Sequence, residues 1–188
     1  MLTKLREDEF DMTFRVMEQS FPTDEYRPYD EQRALLADPR YTVYVHHADN
    51  GDVDAFLAVW RFDAFAFLEH FAVAPAARNC GLGTRLLEAL GALLGCGICL
   101  EAELPDTPLA VRRIDFYRRA GFIDHDYPYV QPSISKGKQP VPLRLMTRHL
   151  DGEGSDPESI KRVLYREVYR VDDAADATNN EKKENEKI

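Results

Sequence analysis

Apolar positions recur along the chain with two distinct periods. Phe10, Phe14 and Met17 fall at spacings of four and three, which predicts a helix over residues 7–20, ended by Ser20-Phe21-Pro22. A second helix is predicted from Asp30 to Leu36, stopped by Asp38-Pro39. Tyr41 to Val45 is rich in β-branched and aromatic residues and reads as a strand. Asn50-Gly51 then predicts a hairpin into a strand from Val53 to Phe62. A further strand runs from Phe65 to Val73. Leu86, Leu87, Leu90, Leu93 and Leu94 predict the buried face of a helix over residues 83–94, closed by Gly95 and Gly97. Next come a strand from Ile98 to Leu104 and a helix opened by Pro108 and ended at Gly121. Two last strands are predicted over 122–130 and 141–148, with a polar loop between them.

This order predicts an α/β (α+β) fold. Its central sheet is mixed and mostly antiparallel, has about six to seven strands flanked by helices, and holds one parallel pair around the Leu-rich helix. The main domain is read as residues 1–150. Residues 151–170 form a linker and an amphipathic helix, on which Ile160, Val163, Leu164 and Val168 share a face. That face is expected to pack on the sheet or to pair with a second copy in a homodimer. Residues 171–188 have almost no large apolar side chain and are predicted to be a disordered charged tail.

Composition narrows the function. The 44% hydrophobic content of the 188 residues excludes a wholly disordered chain. No apolar run reaches transmembrane length, so no membrane partner is expected. The first ten residues, MLTKLREDEF, are charged throughout and lack the core of a signal peptide, which predicts a cytoplasmic protein. A net charge of −9 opposes nucleic acid and favours cationic small molecules or amines. Three cysteines in such a chain read as reduced thiols.

The most informative segment leads from His70-Phe71-Ala72-Val73 through Pro75 to Arg78-Asn79-Cys80-Gly81-Leu82-Gly83-Thr84. Here a strand enters a loop, then two glycines, then a helix. A helix start offers unpaired N–H groups and partial positive charge, which suits phosphate, and Arg78 adds a guanidinium. A Walker A loop would need Gly-Lys-Ser/Thr, which is absent. A dinucleotide fingerprint would need a third small residue where Leu86 stands, and glycines directly after the strand.

The run Arg78-x-x-Gly81-x-Gly83 resembles the acyl-CoA pyrophosphate loop of the GNAT superfamily, the Gcn5-related N-acetyltransferases. Phe116-Tyr117-Arg118-Arg119-Ala120-Gly121-Phe122 is similar to that family's second motif, at the expected distance. The resemblance covers about residues 1–149. Ser20-Phe21-Pro22, Glu25-Tyr26-Arg27-Pro28 and Tyr129-Val130-Gln131-Pro132 also resemble an uncharacterised bacterial subgroup. The chain departs from the family at Ala110, where many relatives carry an Asn that contacts the CoA arm.

The resemblance implies an acetyl-CoA-dependent N-acetyltransferase acting on a primary amine of a small molecule, amino acid or peptide, by direct transfer in a ternary complex. Acetyl-CoA is the co-substrate, and no metal is expected. It implies a cofactor site made by Phe71, Ala72, Val73, Arg78, Asn79, Cys80, Gly81, Leu82, Gly83 and Thr84, with a backbone N–H near Val73 facing the oxyanion. Tyr117 is implied to protonate the leaving thiolate. The alternative is a non-catalytic acyl-CoA-binding sensor or interaction module.

For the proton acceptor, Glu69 lies four residues before Val73, which predicts the same strand face. Glu101 and Glu103 share the face of the next strand opposite Leu100 and Ala102. These two are read as substrate contacts. The three carboxylates could bind a cation, relay a proton through water, or do both; the competing reading is a solvated acidic face or ion pairs with Arg112 and Arg113. Cys96-x-x-Cys99 leaves a helix and enters a strand, the reverse of a redox motif, and zinc would need further ligands. His70 is more simply structural, although a substrate contact is open to it.

Overall fold

The computed structural model describes residues 1–152 and 154–171. The tail predicted to be disordered lies, beyond Val171, outside the described residues. Eight strands form one sheet: β1 (Thr3–Lys4), β2 (Tyr41–His47), β3 (Val53–Arg61), β4 (Ala66–Val73), β5 (Ile98–Glu103), β6 (Ile123–Asp124), β7 (Tyr129–Gln131) and β8 (Val141–Arg148). Their order is β1-β2-β3-β4-β5-β8-β6, and β7 pairs with β8 ahead of β6. Every pairing is antiparallel except β4 with β5.

Among the described residues five helices cover the sheet: α1 (Phe10–Glu18), α2 (Tyr29–Ala34), α3 (Leu82–Leu94), α4 (Pro108–Arg119) and α5 (Pro157–Leu164). On one face α1 and α5 meet Phe56, Trp60, Phe67 and Leu145 in a single apolar cluster. On the other, α3 and α4 bring Leu86, Leu87, Leu90 and Ile114 against Leu57, Val59, Leu68 and Leu100. The central strand β3 is therefore apolar on both faces, as a strand covered on both sides must be.

The local signals explain the boundaries. Gly81 (φ +73°) precedes α3, and Gly95 (φ +63°) ends it with its N–H on Gly91 O. Thr107 caps α4 by accepting from Ala110 N, and Pro108 takes the first position, where no N–H is needed. Asp156 and Pro157 do the same for α5.

One reading needs correction, and one strand goes unread. The strand expected over 122–130 is two short strands: His125 still donates to Leu145 O, but residues 126–128 leave the ladder, and Pro128 has no N–H to pair. The two-residue β1 gave no period to read.

The C-terminal helix packs in cis. Ile160, Leu164, Tyr165, Val168 and Tyr169 join the α1-side core, each such burial stabilising by roughly 2 kcal/mol. After Leu164 the chain widens into a π-turn over Tyr165–Tyr169, which Arg170 ends at φ +57°. Polar ties fix this segment: Arg40 pairs with Glu167 at 2.7 Å, and Tyr165 donates to Val130 O at 2.5 Å.

The parallel pair positions the site. β4 and β5 are in register only at Ala66–Ile98, Phe67–Cys99 and Leu68–Leu100. Beyond Leu68 the two strands part, and one edge of Glu69–Val73 loses its partner strand.

Candidate active site

The opening between β4 and β5 is a cleft of about 560 Å³. It is lined by β4 and β5, the N-terminus of α3, one side of α4 and the loop after α1. Glu69, Phe71, Ala72, Val73, Arg78, Asn79, Gly81, Leu82, Gly83, Thr84, Glu101, Glu103 and Tyr117 all line it, whereas Cys80 does not. The Cys80 thiol instead donates to Ala77 O at 3.0 Å.

One end is built for an anion. Asn79 (φ +65°) and Gly81 (φ +73°) both turn left-handed, so the backbone folds under the start of α3. The N–H groups of Leu82, Gly83 and Thr84 precede the first intrahelical bond, from Arg85 N to Gly81 O, and no side chain caps them. Arg78 bends back, donating from Nε to Val73 O at 2.8 Å, and Arg85 braces the loop through Cys80 O at 3.1 Å. A Cβ on Gly83 would come within 3.3 Å of Phe116, whose ring lies 6.3 Å from that of Phe71 beside the cleft.

Tyr117 sits further along, packed between Phe116 and Phe122. Burial pushes its hydroxyl up to about 12. Arg113 works against that rise and Glu103 with it, so both charges lie near the phenol. Glu103 and Arg113 are themselves paired at 2.5 Å, so the ion-pair reading holds for Glu103.

The surroundings of Glu69 differ from those expected of a proton acceptor. Between Leu68 and His70 the β3–β4 register slips, since Val59 faces Leu68 while Ala58 faces His70. This bulge inserts Glu69 and reverses the alternation. Val73 then lies towards α3, and Glu69 points to the opposite face. There it meets Arg27 at 2.7 Å, with side-chain exposures of 2% and 7%. Burial alone would raise the carboxyl, but the Arg27 charge holds it at about 2. A carboxylate so held is a poor proton acceptor at neutral pH.

His70 is structural in its contacts. It is buried, its Nε2 meets Glu25 O at 2.8 Å, and its Nδ1 stands 3.6 Å from Glu69. It thereby ties the loop after α1 to β4.

That loop carries a residue that sequence reasoning passed over. Glu25 lines the cleft, and burial raises it to about 7, with Glu103 adding to the rise and Arg113 opposing it. The same two charges act on Tyr117, so Glu25 and the phenol share one neighbourhood. Of the carboxylates lining the cleft, Glu101 is the other one without a cationic partner among the described residues. Burial raises it to about 7, against hydrogen bonds from Tyr129 and Tyr169.

Among the described residues no helix is long and apolar enough to cross a membrane. Nor is any group of three or more His, Cys, Asp or Glu placed to hold a metal ion.

Comparisons with known proteins agree with this geometry. A family model described as an acetyltransferase (GNAT) domain matches residues 39–124. A structure from Bacteroides thetaiotaomicron, assigned to the GNAT family of acetyltransferases, is 32% identical with a TM-score of 0.82, covering 92% of this chain and 99% of that one. The ribosomal-protein-S18-alanine N-acetyltransferase of Escherichia coli shares the fold at 20% identity and a TM-score of 0.61, covering 81% of this chain and 96% of its own. A variant of the spermidine N-acetyltransferase of Vibrio cholerae does so at 14% and 0.59, covering 85% and 99%. Comparison with curated proteins gives no match.

Proposed function

The chain belongs to the GNAT family of acetyltransferases, and on that premise we propose that it moves an acetyl group from acetyl-CoA to a primary amine of a small molecule, amino acid or peptide, directly and within a ternary complex. The observation that carries this reading is one continuous cleft joining the uncapped start of α3 to the buried Tyr117.

In this reading the pyrophosphate of acetyl-CoA lies over Leu82–Thr84 with Arg78 beside it. The pantetheine arm follows the unpaired edge of β4 at Phe71–Val73, and the thioester reaches Tyr117. Glu25 takes the proton of the acceptor ammonium. The freed amine attacks the thioester carbonyl, and a backbone N–H near Val73 faces the oxyanion. As the C–S bond breaks, the thiolate takes the Tyr117 proton, the new amide nitrogen releases its surplus proton to solvent, and exchange with solvent restores Glu25 and Tyr117. A phenol at about 12 stays protonated at neutral pH, so it can donate to a forming thiolate. No cysteine lines the cleft among the described residues, in keeping with direct transfer rather than an acyl-enzyme. Glu101, free of any arginine, contacts the cationic acceptor; Glu103 orients Arg113.

The test is Tyr117→Phe. Acetyl transfer to an amine panel should fall by about a hundredfold while acetyl-CoA affinity is retained. Transfer unchanged by the substitution would refute the role of Tyr117. Acetyl-CoA binding with no transfer by the wild-type chain would identify a sensor instead.

A further inference from the structure

Glu101 faces the cleft from β5, but its carboxylate is held from behind. Oε1 accepts from the Tyr129 hydroxyl, and Oε2 accepts from the Tyr169 hydroxyl at 2.6 Å. Neither tyrosine lines the cleft, and both are buried. Tyr169 comes from the π-turn that ends the C-terminal helix, outside the segment that the family model matches. The segment is itself fastened: Arg27, the partner of Glu69, also donates to Val168 O at 3.3 Å, and the Tyr165 ring packs edge-on to both Tyr129 and Tyr169. A glutamate side chain has three free torsions, and ordering it costs conformational entropy. Here two phenols pre-set that order, each using one lone pair of a carboxylate oxygen.

We propose that Tyr169, with Tyr129, is a positioning residue for the acceptor: the two hydroxyls fix Glu101 as the carboxylate that receives the amine, and the C-terminal helix is thereby a working part of the active site. This rests on the reading that the cleft takes a cationic amine.

The charged and titratable groups facing Glu101 are Tyr129 from β7, Tyr165 and Tyr169 from the C-terminal segment, Glu69 and His70 from β4, and Cys99 on its own strand. The two phenol bonds lower Glu101, against burial and the Glu69 charge. All three phenols are themselves raised, so they serve as donors across neutral pH. Removing one donor must therefore raise the Glu101 midpoint and leave less carboxylate at pH 7.

The experiment uses the full chain carrying glutamate labelled with carbon-13 at the carboxyl, with the Glu101 signal assigned by its loss in Glu101→Gln. Tyr169→Phe should move the Glu101 titration midpoint upward by about one unit. Tyr129→Phe should do the same, which guards against one variant failing to fold. n-Butylammonium chloride, added with CoA, should shift the Glu101 signal in the wild type, with several-fold weaker affinity in Tyr169→Phe at pH 7. Raising the pH should restore that affinity. An unmoved midpoint, or a Glu101 signal indifferent to n-butylammonium, would overturn the proposal. These readouts need no acetyl transfer, so failure of the acyltransferase reading would show separately, as loss of acetyl-CoA binding or turnover.

Discussion

Replacing Arg27 by Met tests the ion pair on which the floor of the cleft rests. Arg27 and Glu69 meet at 2.7 Å with side-chain exposures of only 7% and 2%, so water cannot take over from a missing partner. Glu69 Oε2 already has no hydrogen-bond partner among the described residues, and His70 Nδ1 stands 3.6 Å from it. Met fills much of the volume but leaves a buried carboxylate uncompensated. Breaking a buried pair in this way costs about 3–5 kcal/mol. For a chain of this size that is roughly a 10 °C fall in Tm. Arg27→Met/Glu69→Leu removes both charges and should recover most of the loss, because the penalty lies in the orphaned charge. Thermal and urea unfolding of the wild type, both single variants and the double variant complete the cycle. The sign with pH is set by Glu69, whose carboxyl is held at about 2. The pair's stabilisation is complete above the ordinary glutamate range and is lost as pH falls through about 2. The gap between wild type and Arg27→Met should therefore narrow on acidification, as the orphaned carboxylate takes a proton. An Arg27→Met cost below about 1 kcal/mol, or a double variant no better than the single, would refute the reasoning.

Two more outcomes are expected. Because Glu25 sits at about 7 and must be ionised to accept a proton, kcat/KM should fall as pH drops through about 7, and Tyr117 at about 12 should add no alkaline limb near neutrality. Glu25→Gln should lower turnover about a hundredfold and leave a shallower acidic limb, carried by Glu101, as pH–rate profiles would show. Gly83→Ala gains about 1 kcal/mol of helix propensity but presses Phe116 from 3.3 Å, so stability should change little while acetyl-CoA affinity, read by calorimetry, falls several-fold.

The sequence reveals those parts of the site whose chemistry is local. Gly81 and Gly83 mark the anion loop because a left-handed turn and a close approach demand glycine, and the Leu spacing of α3 aims the helix at the sheet. Tyr117 follows from its motif. The carboxylates are harder, because their roles depend on what the fold brings to them. The alternation from Val73 back to Glu69 fails through one inserted residue, and a bulge is a property of two strands, not one. Glu25 carries no periodic signal; only burial beside Glu103 makes it titrate near neutrality. Tyr169 lies 68 positions from Glu101 and meets it only because the π-turn carries it under β5. The break at 126–128 falls where Pro128 has no N–H to give to the ladder.

The central claim is that the cleft between β4 and β5 binds an acyl-CoA, and ligand-dependent thermal unfolding tests it most directly. Acetyl-CoA at a hundred times its Kd should stabilise the chain by about 2.7 kcal/mol. That corresponds to a rise of roughly 5–10 °C in Tm, with NAD giving none. A rise with NAD alone, or none with acetyl-CoA, would contradict the account.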